Sequence, residues 1–309
     1  MREVNDNSLP IGMMVGPFRV EEQIGEGAMA RVYRIRHRDG SVRALKVLAV
    51  ASPELRARIE DEGRVQSAMD HPCVVQVLDT MTVDGLPALV MEYVEGPNLE
   101  VFLQRHQMDL DGALQLMFLI ASGVEAAHDL GIVHRDLNPR NIVMACSGQV
   151  TVPRLVDFGV SKMPEGDGRR RNTGQGMRLG TLGYQSPEQI QNASNVDGRT
   201  DLFSLGCIFY ELLTNRRAFD GNNNMIVWSA VISGQYPPLP LDIPAPVRDI
   251  VTSLLQVNPD HRLSSIAEVL TLLGAQIEGD PLALVNVPIP SRQMGAIARL
   301  AHAWRSLVA

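Results

Sequence analysis

The chain has 309 residues, 45% of them hydrophobic and 20% charged, a length and composition suited to two globular units with sizeable cores. A formal net charge of -7 gives no global case for nucleic-acid binding. Three cysteines (Cys73, Cys146 and Cys207) without C-x-x-C spacing indicate neither a disulfide framework nor a zinc site, and no apolar run is long enough to span a bilayer. The first ten residues lack the apolar core of a signal peptide, so the expected location is a reducing, cytoplasmic one.

Residues 1–12 are polar with Pro10 and read as a flexible lead-in. From Phe18 to Val50, three stretches (18–24, 30–38 and 42–48) alternate apolar and polar side chains, with turn signals at Gly25–Gly27 and Asp39-Gly40. They predict three antiparallel strands. Ser52-Pro53 then offers a cap followed by proline at the first helical position, and the helix is expected to end near Asp70, before His71-Pro72. Two more strands, 73–83 and 86–94, flank the turn Asp84-Gly85. Gly96-Pro97 marks a hinge.

Beyond the hinge the pattern is helical. Segments 112–131, 201–214, 245–256 and 264–276 carry apolar residues at helical spacing. The expected organisation is therefore a flexible N-terminus (1–12), a β-rich lobe (13–94), a mainly helical lobe (95–276) and a tail (277–309). In the tail, Met294, Ile297, Leu300, Ala301, Trp304, Leu307 and Val308 fall on one helical face, after a possible cap at Ser291, with Arg299 and Arg305 elsewhere. Such a basic amphipathic helix docks on its own domain, on a partner or on a membrane surface; docking on its own domain is the favoured reading.

The chemistry is concentrated mid-chain. His134-Arg135-Asp136-Leu137-Asn138-Pro139-Arg140-Asn141 is followed, sixteen residues after Asn141, by Asp157-Phe158-Gly159. An Asp and an Asn on one loop with a second Asp downstream suit phosphoryl transfer. One acid orients a hydroxyl, and two oxygen ligands hold Mg²⁺ against a nucleotide's phosphates. Upstream, Ile24-Gly25-Glu26-Gly27-Ala28-Met29-Ala30-Arg31-Val32 places glycines between the first two strands, where backbone amides can approach phosphates. Alone, this stretch reads equally well as a hairpin turn. Lys46 sits inside an otherwise apolar strand, and the helix after it offers Glu54, Glu60, Asp61 and Glu62 as partners.

In order and spacing these motifs resemble the protein kinase family over about residues 14–276, most closely the bacterial eukaryotic-like serine/threonine kinases. The resemblance implies an α+β bilobal fold: a five-stranded β-rich N-lobe with one helix over a mainly helical C-lobe, with ATP and Mg²⁺ in the cleft. It gives Asp136 the acceptor hydroxyl's proton, Lys46 the α- and β-phosphates, Glu62 the lysine's carboxylate partner, and Asn141 and Asp157 the metal. It places Ile24, Gly25, Gly27, Val32, Ala44, Met91, Glu92, Val94 and Val143 around the nucleotide. Thr181, in the run Gly180–Glu188, would bond Asp136 and shape the pocket for the residue after the acceptor. Glu188 would pair with Arg262, and Asp201 would anchor the catalytic loop. Thr173 is the expected activation-loop phosphorylation site, its phosphate received by Arg135.

The chain departs from the pattern at three positions. Asn138 stands where serine/threonine kinases carry a lysine, and Arg140 is the candidate replacement for that charge, as a catalytic residue. Ala30 replaces the third loop glycine. Gln66 replaces an apolar packing residue one turn after Glu62. The implied function is transfer of the ATP γ-phosphoryl to protein Ser/Thr hydroxyls, with self-association for autophosphorylation and no nucleic acid among the partners. The alternatives are a pseudokinase that binds nucleotide and signals as a scaffold, and a small-molecule kinase; the Thr181–Glu188 segment opposes the latter.

Overall fold

The computed structural model describes residues 8–27, 30–48, 63, 66–147, 150–158, 179–192 and 196–278. The chain divides into two compact units, residues 1–69 with 75–94, and residues 70–74 with 95–309.

Unit 1 is a six-stranded antiparallel sheet in the order β1-β2-β3-β4-β6-β5. The strands are β1 (Met14–Val15), β2 (Phe18–Glu26), β3 (Ala30–His37), β4 (Val42–Leu48), β5 (Val77–Val83) and β6 (Leu86–Glu92). Five were expected from alternation; β1, two residues long, is too short to show a period and adds itself to the edge of β2. Tyr33, Leu45 and Val90 are cross-strand neighbours on one face, and with Val20, Ile35, Val47, Val83 and Ala88 they form a core. Each valine, leucine and isoleucine side chain buried there contributes about 1.5–3 kcal/mol.

Leu9 and Val15 join that core. Leu9 is buried and its amide donates to Tyr33 Oη at 3.0 Å, while the Gly12 amide donates to the Val20 carbonyl at 2.8 Å. The expectation of a flexible 1–12 is therefore corrected from residue 8 onward: one leucine and a backbone bond tie the lead-in down. Most of the helix expected after Ser52, including Glu62, lies outside the described residues. Gln66, within its last turn, is buried at 6% exposure.

Unit 2 contains helices α1 (Leu99–Leu103), α2 (Leu110–His128), α3 (Leu179–Leu182), α4 (Pro187–Asn192), α5 (Arg199–Thr214), α6 (Asn224–Ser233), α7 (Ala245–Leu254) and α8 (Ile266–Gly274). A hairpin of β7 (Ile142–Ser147) and β8 (Val150–Leu155) packs on α2. Helices α2 and α8 start where the sequence supplies caps: Asp109 accepts from the Gly112 amide and Ser265 from the Glu268 amide. Helix α2 is long and apolar enough to cross a membrane, but most of it is buried inside the unit against α5, α8 and β8. At the entry to the unit Gly96 has φ +156°, and a Cβ there would lie 2.0 Å from the Met144 carbonyl oxygen. Only glycine fits that approach.

Candidate active site

The register of unit 1 places a second set of residues opposite its core. Val32 pairs with Lys46, Lys46 with Leu89, and Ala44 with Met91, so Val32, Ala44, Lys46, Leu89 and Met91 share one face. Lys46 is buried at 5% exposure among these apolar neighbours. Gly25 pairs with Val32 at the end of the β2–β3 ladder, and the register shifts between Gln23 and Gly25, leaving Ile24 as the extra residue of a bulge. The Gly27 amide closes the turn on the Ala30 carbonyl at 2.8 Å. Glu92 ends β6 with its amide on the Gln76 carbonyl, and Val94 follows two residues later.

In unit 2 the loop 134–141 is built by backbone clamps. The Asp201 carboxylate, fully buried on α5, accepts the His134 amide at 2.8 Å and the Arg135 amide at 2.9 Å. The His128 ring Nε2 lies 2.9 Å from the same carboxylate. These bonds hold Arg135 at φ +62°, a left-handed conformation that costs a non-glycine residue about 1–3 kcal/mol. Gln189 Nε2 donates to the Arg135 carbonyl at 2.8 Å. The expected anchoring by Asp201 is present; the contribution of Gln189 was not foreseen, because it comes from a helix 54 residues away.

Asn138 is buried at 2% exposure and braces the loop. Its Nδ2 donates to the Asp136 carbonyl at 2.8 Å, and its Oδ1 caps the 3₁₀ turn Pro139–Asn141 by accepting the Arg140 amide. Asn141 Nδ2 donates to the Asp136 carbonyl at 2.8 Å and to Asp136 Oδ2 at 3.2 Å. The Asn141 Oδ1 is thereby left as the oxygen a cation would use. The Asn141 carbonyl accepts the Val156 amide at 2.9 Å, bringing Asp157 next to the loop. Asp157 stands at φ +61°, the second strained residue of the site. The His134 ring packs on Phe158 at 4.6 Å between centroids, and its Nε2 lies 3.1 Å from the Val156 carbonyl. Burial holds the His134 ring below its usual pKa, so it is neutral packing here. Val143 lies on β7, half-buried.

Arg140 is committed elsewhere than its loop. Its Nε and Nη2 donate to the two Glu100 oxygens at 2.8 and 3.1 Å, and Arg217 Nη2 donates to Glu100 Oε1 at 3.0 Å. Glu100, forty residues upstream on α1, had no local signal that it would hold a loop arginine.

Thr181, on α3, lines a small recess with Arg135, Asp136, Leu137, Tyr184, Gln185, Gln189 and Ser204. Gly183 lets this segment pass close to the next loop: a Cβ there would meet the Phe219 carbonyl oxygen at 2.4 Å. The Tyr184 hydroxyl donates to Glu211 Oε2, and burial raises the pKa of both groups. Glu188 and Arg262 form the expected pair, bidentate at 2.7 and 2.8 Å, with the Arg262 side chain fully buried. Thr173 and the tail helix lie outside the described residues, as does Glu62.

The oxygen donors of this site suit a hard cation. Among the described residues no group of three or more His, Cys, Asp and Glu could hold a metal ion. Two oxygen side chains, Asn141 and Asp157, fit a Mg²⁺ that keeps its remaining ligands for water and phosphate.

Comparison with known proteins agrees with this geometry. The protein kinase domain family matches residues 18–272. The serine/threonine-protein kinase pkn2 of Myxococcus xanthus is 36% identical over 271 residues, covering 84% of this chain and 32% of that protein. The serine/threonine-protein kinase PknB of Mycobacterium tuberculosis is 30% identical over 280 residues, covering 85% and 43%. The chain thus spans about a third to two fifths of these curated relatives. Among solved structures, the Mycobacterium tuberculosis PknI kinase domain superposes with a TM-score of 0.66 at 25% identity, covering 87% of this chain and 99% of that one. Rad53 in complex with AMP-PNP superposes with a TM-score of 0.67 at 29% identity, covering 82% and 64%.

Proposed function

Because the chain belongs to the protein kinase domain family, we propose that it is an active serine/threonine protein kinase using MgATP in the cytoplasm. The observation that carries this reading is the loop around Asp136. Its carbonyl is held by Asn138 and Asn141, its carboxylate by Asn141, and its neighbours' amides by Asp201. A carboxylate fixed this way accepts the proton of a Ser or Thr hydroxyl as that oxygen attacks the γ-phosphorus in line. Lys46, on the face shared with Val32, Ala44 and Met91, binds the α- and β-phosphates, with Glu62 as its partner. Ile24, Gly25, Gly27 and Val32 cover the nucleotide, and the backbone at Glu92 and Val94 bonds the adenine. Asn141 Oδ1 and the Asp157 carboxylate are the groups that would hold a Mg²⁺, which would supply neutralisation of charge on the phosphates. Thr181 shapes the pocket for the residue after the acceptor. Thr173 is the autophosphorylation site, and Arg135, whose backbone is clamped on both sides, receives its phosphate.

Asn138 and Gln66 favour a second reading, a pseudokinase that binds nucleotide and signals as a scaffold. Both are polar, uncharged and buried where the family pattern places a lysine and an apolar residue. Transfer of label from γ-³²P ATP to a mixed protein substrate separates the two. Transfer that Asp136→Asn reduces by about 10²–10⁴ supports the kinase, the range a positioned base contributes. ATP binding without transfer supports the scaffold.

A further inference from the structure

Arg140 was expected to supply charge to the transferring phosphate, yet its two donors on Glu100 and its neighbour Arg217 describe a different device. The four residues Glu100, Arg140, Arg217 and Glu211 form a connected cluster beside the Asp136 loop. Glu100 Oε2 accepts from Arg140 Nε, and Glu100 Oε1 accepts from both Arg140 Nη2 and Arg217 Nη2. Glu211 accepts the Tyr184 hydroxyl and has its pKa raised by burial; Asp220 lies close enough to raise it further.

The accounting of donors and acceptors is lopsided. Each arginine carries five N–H groups. Arg140 spends two of them on Glu100 and Arg217 spends one there, with Tyr184 as a further partner. The carboxylates spend much of their capacity inward, on these arginines and on Tyr184. Both arginine side chains are 30% exposed and Glu100 is 20% exposed. What the cluster still offers to an incoming chain is N–H donors in planar, fork-like groups, which match a carboxylate or a phosphate.

Its place relates it to the acceptor. Arg140 is four residues from Asp136, and Asn138 fixes the span between them through the Asp136 carbonyl and the Arg140 amide. The Cα atoms of Asp136 and Arg140 are therefore at most about 14 Å apart, a span that an extended substrate covers in about four residues. We infer that Arg140 and Arg217 form a specificity subsite that selects an acidic side chain, carboxylate or phosphorylated, within about four residues of the Ser or Thr acceptor. The inference rests on the protein kinase reading above and names the substrate class for it.

The test is a positional peptide library phosphorylated by this chain, with Asp, Glu, phosphoserine, Ala and Arg at each position flanking the acceptor. The expected result is one flanking position where acidic residues raise kcat/KM about tenfold over Ala, mainly through KM, as one charge-assisted pair implies. Arg140→Gln with Arg217→Gln should flatten that position, and Arg140→Lys with Arg217→Lys should retain part of it. Comparison of the Asp and phosphoserine arms shows which acidic source is read. Equal turnover at every position, or acidic selection that survives the Gln pair, overturns the inference. If no peptide is phosphorylated, the kinase reading fails, and peptide affinity by fluorescence anisotropy still decides the subsite. An acidic peptide that binds about tenfold tighter than its Ala analogue, and loses that advantage in the Gln pair, supports it; equal affinities overturn it.

Discussion

The Asp201 carboxylate holds the Arg135 amide at 2.9 Å across 66 residues of sequence and shares its other oxygen between His134 and His128. One buried acid on a core helix thus fixes the loop on which Asp136 stands. Asp201→Ala leaves two amides without their acceptor and should cost about 3 kcal/mol or more in urea denaturation. Asp201→Asn, which keeps one acceptor oxygen, should cost less. Equal stability of all three proteins would show that the loop is positioned by other contacts.

A second clamp joins Glu188, the residue before Gln189 of the recess, to Arg262. The Arg262 side chain is fully buried, donates to both Glu188 oxygens and also donates to the Gln256, Arg199 and Val257 carbonyls. Glu188→Gln leaves a buried guanidinium without its counter-charge. A destabilisation of about 2–3 kcal/mol is expected, below the full range for a buried pair because Glu188 is 21% exposed. Arg262→Lys should be nearly as costly, since an ammonium cannot make the forked contact. Chemical denaturation of both variants measures this.

Acid should destabilise unit 2 through His134. Burial lowers its folded pKa, so the folded ring stays neutral where the unfolded ring, with an ordinary value of 6.5, takes up a proton. The associated stability is complete above 6.5 and is lost as pH falls below it, with a limiting slope of about 1.4 kcal/mol per pH unit. His134→Tyr keeps an aromatic ring against Phe158 and does not titrate in this range. Denaturation midpoints between pH 7 and 5 should fall more steeply for the natural protein than for this variant.

Gly96 should not tolerate a side chain. Gly96→Ala adds a Cβ 2.0 Å from the Met144 carbonyl oxygen at φ +156°, so β7 or the Glu95–Pro97 segment must shift. A drop in melting temperature of several degrees is expected, and a smaller one for Gly131→Ala, where φ +73° strains an alanine but no atom lies within 4 Å of the added carbon.

These relationships separate what sequence reveals from what it hides. The strands 18–26, 30–37 and 42–48 were legible because one side chain in two points to a core, and α2, α5, α7 and α8 because their apolar residues recur at helical spacing. Helix α6 was not, because its sequence, Asn224–Ser233, is apolar all round and rich in β-branched residues, leaving no polar face to set a period. The β7–β8 hairpin escaped for a related reason: Pro153 stands inside β8 and weakens the strand pattern. In the candidate site, the residues proposed to carry chemistry stand in local motifs, whereas the contacts that support them do not. Glu100 under Arg140, Gln189 on Arg135 and Glu211 under Tyr184 are contacts between distant segments. Asn138 shows the same limit, since its sequence reading is a missing lysine and its structural role is a loop brace.

The central claim, an active protein kinase with Asp136 as base and Lys46 on the phosphates, is tested most directly by incubating the purified chain with MgATP and mapping phosphosites by mass. Lys46→Met and Asp136→Asn serve as controls. The account predicts phosphate on Thr173 or its immediate neighbours in the natural protein and on neither control. Bound ATP with no phosphate transferred to the chain or to an added protein substrate would contradict it.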